Sequence, residues 1–65
     1  MDSKIKQRNQ KRVELTFRVL DSMEDLREIW RGAAPLQELD EAQTQKAIKK
    51  IGKARKALDE LENTL

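Results

Sequence analysis

Arg12-Val13-Glu14-Leu15-Thr16-Phe17-Arg18-Val19 decides how this chain folds, because two periodicities compete within it. Polar and apolar residues alternate with period two, and Val13, Thr16 and Val19 are β-branched, which is the pattern of a half-buried strand. Followed into the next residues, the same stretch fits a helix. Val19, Met23, Leu26 and Trp30 recur at spacings of four and three, Leu15, Leu20 and Ile29 widen the stripe, and Ile5 extends it weakly backwards through Asn9 and Arg12. Phe17 separates the two possibilities. In a strand it shares a face with Val13, Leu15 and Val19. On a helix, steps of about 100° carry it off the main stripe, so that Phe17 and Val13 form a second apolar edge, either core in a bundle of more than two helices or a groove for a partner.

Downstream, Gly32-Ala33-Ala34-Pro35 is the strongest punctuation, with a Gly suited to ending one helix and a Pro suited to opening another. Asp40 followed by Gln43 predicts a capping box, so the second helix begins at Glu41 and residues 35–39 form a preliminary turn. From there Ala47, Ile51, Ala54, Leu58, Leu61 and Leu65 recur at alternating spacings of four and three, one stripe of a helix whose small Ala47 and Ala54 let a neighbouring helix come close. The favoured fold is therefore all-α. A helix from about Ser3 to Arg31 turns at residues 32–35 and runs back to about Asn63 as an antiparallel two-helix hairpin, a coiled-coil pair that dimerises into a four-helix bundle. The whole of residues 1–65 is one small helical domain, with residues 1–11 a candidate flexible basic arm.

The alternative keeps a strand at residues 12–19 and begins a helix at a cap formed by Asp21 with Glu24 or Ser22 with Asp25. That order, strand then helix then helix, resembles the ribbon-helix-helix family of dimeric DNA-binding repressors over about residues 11–60. The likeness is carried by Lys11-Arg12-Val13-Glu14-Leu15-Thr16-Phe17-Arg18. It implies a strand paired across a dimer, with Arg12, Glu14, Thr16 and Arg18 directed into the major groove. Glu14 departs from that role, since a carboxylate there opposes phosphate although it can accept from cytosine. The second helix is also too long, and the connecting loop lacks the Gly and Ser or Thr usual in that family.

Composition narrows the function. The 65 residues are 40% charged and 37% hydrophobic, with two Gly, one Pro, no Cys and no His, which rules out disulfides, thiolate metal sites and imidazole chemistry. A chain this short buries only about 60% of its unfolded surface, so without such staples a second chain is the remaining support. No run approaches the roughly 18 to 20 apolar residues of a membrane span, and the charged stretch 1–12 lacks the apolar core of a signal peptide; the expected location is cytoplasmic, with no membrane partner. Carboxylate pairs such as Glu24 with Glu28 or Glu38 with Glu41 have no His to complete a metal or acid–base set. Ser3, Ser22 and Thr44 have no base or oxyanion arrangement, and no Gly-rich phosphate loop is present. The expectation is a protein without enzymatic activity, cofactor, metal or small-molecule substrate.

The net charge of +2 hides segregation. Residues 1–18 carry six cations against two carboxylates, residues 19–42 two against seven, and residues 43–65 six against three. A hairpin is then expected to show an acidic turn end and a basic open end, and a head-to-tail dimer lays each acidic turn beside the other copy's basic end. Lys46, Lys49, Lys50, Lys53 and Lys56 line one face of the second helix. With Arg12 and Arg18 they are the candidates for a contact to duplex phosphates, the alternative being a plainly solvated face. Trp30 and Phe17 are too few for stacking on single strands. Gly52 lies opposite the apolar stripe, where only a partner's backbone or neutral drift accounts for it. Trp30 is expected to anchor the turn against Leu36 and Leu39, or else to serve as an interface hot spot.

These observations support a non-catalytic interaction or oligomerisation module. Its interface residues are Leu15, Val19, Met23, Leu26 and Trp30 with Ala47, Ile51, Ala54, Leu58 and Leu61, and its partner is a second copy or another protein. The alternative is a small dimeric nucleic-acid-binding regulator using the basic helix face or a paired strand.

Overall fold

The computed structural model describes residues 3–65 as two helices, α1 (Ser3–Gly32) and α2 (Glu41–Thr64), packed against each other as a hairpin. Residues 12–19 lie within α1, and no strand occurs among the described residues, which overturns the strand alternative and the ribbon arrangement built on it. The reason is tertiary. In helical geometry Arg12, Leu15 and Val19 all turn towards α2, and Leu15 becomes the one large side chain with 0% exposure. A lone strand finds no partner edge of that kind within one copy. Thr16, one of the β-branched residues, instead bonds through its hydroxyl to the Arg12 carbonyl a turn earlier at 2.9 Å, an ordinary helical use of Thr. Residues 3–11, the candidate arm, continue α1 as exposed helix; Met1 and Asp2 lie outside the described residues.

The start of α2 follows its sequence signal. Asp40 is the N-cap: its Oδ1 accepts from the Gln43 backbone N–H at 2.7 Å, and the Gln43 side chain accepts from the Asp40 N–H at 3.0 Å. Two donors orphaned by the helix start are thereby satisfied, and Glu41 adds negative charge at the positive end of the dipole. The end of α1 is less as expected. Gly32 does not adopt a left-handed conformation; the left-handed residue is Gln37, at φ 53°, whose N–H bonds to the Ala33 carbonyl at 3.0 Å. The connection therefore occupies residues 33–40 rather than 32–35.

Three pairs fix the register of the hairpin. Arg12 Nε donates to Thr64 Oγ1 at 3.2 Å and the same guanidinium donates to the Thr64 carbonyl; Lys50 pairs with Asp25 at 3.0 Å; and Gly32 lies beside the Gln43 side chain. Stepping between these anchors sets Leu15 opposite Leu61, Val19 opposite Ala57, Ser22 opposite Ala54, Leu26 opposite Lys50, and Ile29 opposite Ala47. On each helix the seam alternates three- and four-residue steps, the spacing of a coiled coil. Among the described residues the buried positions are Leu15, Ser22, Ala47, Ala54 and Ala57, mostly small residues, so the seam encloses little apolar volume. By the same register α1 runs about 13 Å past the end of α2, leaving residues 3–11 without a neighbouring helix.

Candidate functional site

The residues on either side of the seam differ in chemistry. One position beyond the seam lie Thr16, Met23 and Trp30 on α1 and Thr44, Ile51, Leu58 and Leu65 on α2. In an antiparallel pair these two rows border the same flank. Val13 and Leu20 on α1 and Ile48 on α2 extend it outward, and Phe17 stands at its rim. Among the described residues eleven large apolar side chains are exposed, nine of them belonging to this flank, against one fully buried. At the open end the flank dips into a groove of about 360 Å³ lined by Arg12, Val13, Thr16, Phe17, Leu61 and Leu65.

The ten interface residues expected from sequence divide between seam and flank. Leu15, Ala47 and Ala54 are buried between the two helices of one copy, and Val19, Leu26 and Leu61 are half-buried there. Met23, Trp30, Ile51 and Leu58 remain on the flank. Trp30 keeps 42% of its surface and Leu36 80%, so the tryptophan does not close the turn as a buried anchor; its row faces along the flank instead of into the seam. The hydrophobicity pattern passes over Ser22, Lys50 and Ala57, which hold seam positions although they are small or polar. It also passes over Ile48, whose only signal is that it falls one turn before Ile51 on the flank side.

The opposite flank is charged. Arg18, Lys53 and Lys56 surround a recess with Ser22, Ala57 and Glu60, while Lys46 and Lys49 lie nearer the turn beside Gln45 and Ile48. Lys50 reaches from the seam to Asp25, and Arg12 is engaged with Thr64. Asp21, Asp25 and Glu28 of α1 fall alongside this lysine run, so the flank alternates in sign and its summed field is weakened. The lysines consequently do not gather at the open end, as a division of the chain into thirds suggests. Chain reversal lays the basic first half of α2 beside the acidic second half of α1. What stays segregated is narrower: residues 3–11 carry Lys4, Lys6, Arg8 and Lys11 with no carboxylate, and residues 33–41 carry Glu38, Asp40 and Glu41 with no cation.

The turn holds a second shallow cavity, about 420 Å³, lined by Ala33, Ala34, Pro35, Leu36 and Leu39 with Glu38 and Asp40 at its edge. Gly52 sits on the outer surface of α2, and a Cβ there meets nothing within 4 Å. No helix among the described residues is long and apolar enough to cross a membrane.

Fold and surface together define an antiparallel helical hairpin with one apolar and one charged flank. The chain matches no known protein family, and no characterised protein or solved structure shows significant similarity to it.

Proposed function

We propose that this chain is a non-catalytic assembly module that pairs, apolar flank on apolar flank, with a second copy to form a four-helix bundle. The observation carrying this reading is the row Met23, Trp30, Ile51 and Leu58, flanked by Val13, Leu20 and Ile48, lying exposed along one side of a hairpin with one large fully buried side chain among its described residues. Two such flanks supply each other with the missing layer, and a symmetric pair of hairpins is the simplest closed assembly. Sedimentation equilibrium tests it. A helical species at twice the 7.6 kDa chain mass is expected, and a well-folded monomer across the accessible concentration range refutes it.

A second reading rests on Lys46, Lys49, Lys53 and Lys56, which share the flank left free by such a dimer and offer ammonium groups to duplex phosphates between the carboxylates of α1. Binding through that face is sequence-blind and falls steeply with salt. Retention on duplex DNA that persists at about 150 mM salt and prefers one sequence would require a different mode of contact.

A further inference from the structure

We propose that the cavity at the turn of each hairpin receives Ile5 of the second copy, which fixes the two hairpins with their turns at opposite ends of the bundle. The inference rests on the self-association proposed above and adds its orientation. It begins with two incomplete surfaces. Ile5 lies on the row of α1 that carries the seam, but α2 ends before reaching it, so the side chain is exposed among Lys4, Lys6 and Arg8. The turn cavity is the complement: an apolar floor of Ala33, Ala34, Pro35, Leu36 and Leu39, edged by Glu38 and Asp40. An isoleucine between cations fits an apolar recess between carboxylates. Ile5 cannot reach the turn of its own chain, because 27 residues of helix, about 40 Å, separate it from the end of α1 at Gly32.

Length gives the second argument. The apolar flank extends from the level of Leu65 and Val13 to that of Trp30, with its midpoint near Leu20 and Leu58. The midpoint between Ile5 and Leu36 falls at the same level. A two-fold axis crossing the helices there therefore lays flank on flank and, with no adjustment, sets each Ile5 at the other copy's turn and each Trp30 over the groove at the other copy's Val13 and Leu65. Arg55 meets its symmetry mate near this axis, with Asp59 one turn along each helix to supply opposite charge. The reverse arrangement, both turns at one end, leaves both turn cavities empty and gathers basic segment with basic segment and carboxylate with carboxylate, which opposes association.

Cysteine pairing reads the arrangement directly, since the chain has none of its own. Ile5→Cys and Leu36→Cys alter exposed positions and leave the seam intact. Mixed and oxidised, they are expected to give a disulfide-linked heterodimer, while neither links efficiently to itself. Self-linking of either single variant, or a dimer by sedimentation whose mixed variants fail to link, overturns the docking and leaves the assembly reading standing. A monomer by sedimentation removes both. As a charge test, Lys6→Glu and Glu38→Lys are each expected to weaken dimerisation by roughly three- to tenfold, since every contact occurs twice in a symmetric pair, and the double variant to recover most of the loss. Losses that simply add in the double variant count against the contact.

Discussion

Replacing Leu58 with Ala separates the surface that assembles from the core that folds. Leu58 keeps 49% of its surface exposed in the hairpin. Full burial of a leucine side chain is worth about 2 kcal/mol, so covering the remaining half contributes roughly 1 kcal/mol per copy and about 2 kcal/mol per symmetric dimer. Losing that contribution raises the dimer dissociation constant by roughly thirtyfold. Leu15, fully enclosed between the helices, provides the contrast: Leu15→Ala leaves a cavity in the hairpin itself and costs about 2 to 5 kcal/mol at every concentration. Sedimentation equilibrium gives the dissociation constant, and urea unfolding followed by circular dichroism at two protein concentrations gives the stability. Leu58→Ala is expected to shift the first strongly, and to cost the second about 1 kcal/mol at every protein concentration, from the half already covered within the hairpin, with a further loss only where the dimer is populated. An unchanged dissociation constant, or a stability loss of the same size at both concentrations, refutes the reasoning, because Leu58 then contributes only within its own chain.

Gly52→Ala is expected to raise stability by about 1 kcal/mol in thermal or urea unfolding, since the helix gains a better former and the added Cβ meets nothing within 4 Å; lost self-association would instead identify a close backbone contact there. Asp40→Ala removes the side-chain half of the capping box, the acceptor of the Gln43 N–H, and is expected to cost about 1 kcal/mol, with fraying of the first turn of α2 visible by amide exchange. Ala54→Leu places extra volume where buried Ala54 faces buried Ser22 in the seam; pushing the helices apart costs about 1 to 3 kcal/mol in urea unfolding.

Much of the fold was legible in the residues. The capping box of Asp40 and Gln43 announced the start of α2 without reference to anything distant, because cap and helix lie within four residues of each other. The three- and four-residue spacing of Ala47, Ile51, Ala54, Leu58 and Leu61 likewise announced a packed face. Residues 12–19 were not settled locally, since their alternation satisfies a strand as well as a helix, and packing of Leu15 and Val19 on α2 made the choice. The candidate interface was half legible. Its residue types were evident, yet Met23 and Leu26, or Ile51 and Ala54, sit so close around a helix that apolar periodicity alone cannot say which enters the seam.

The sequence by itself determined that the chain lacks cysteine and histidine chemistry, that a capped helix follows the turn after residue 32, and that the apolar surface exceeds what a hairpin can cover. Tertiary structure decided which of two neighbouring stripes each helix commits inward. Small residues, Ser22 on α1 with Ala47, Ala54 and Ala57 on α2, take the buried seam positions, while Met23, Trp30, Ile51 and Leu58 stay exposed along one flank. Chain reversal decided the rest, by setting the lysines of α2 against the carboxylates of α1 and leaving charges of a single sign in residues 3–11 and in residues 33–41.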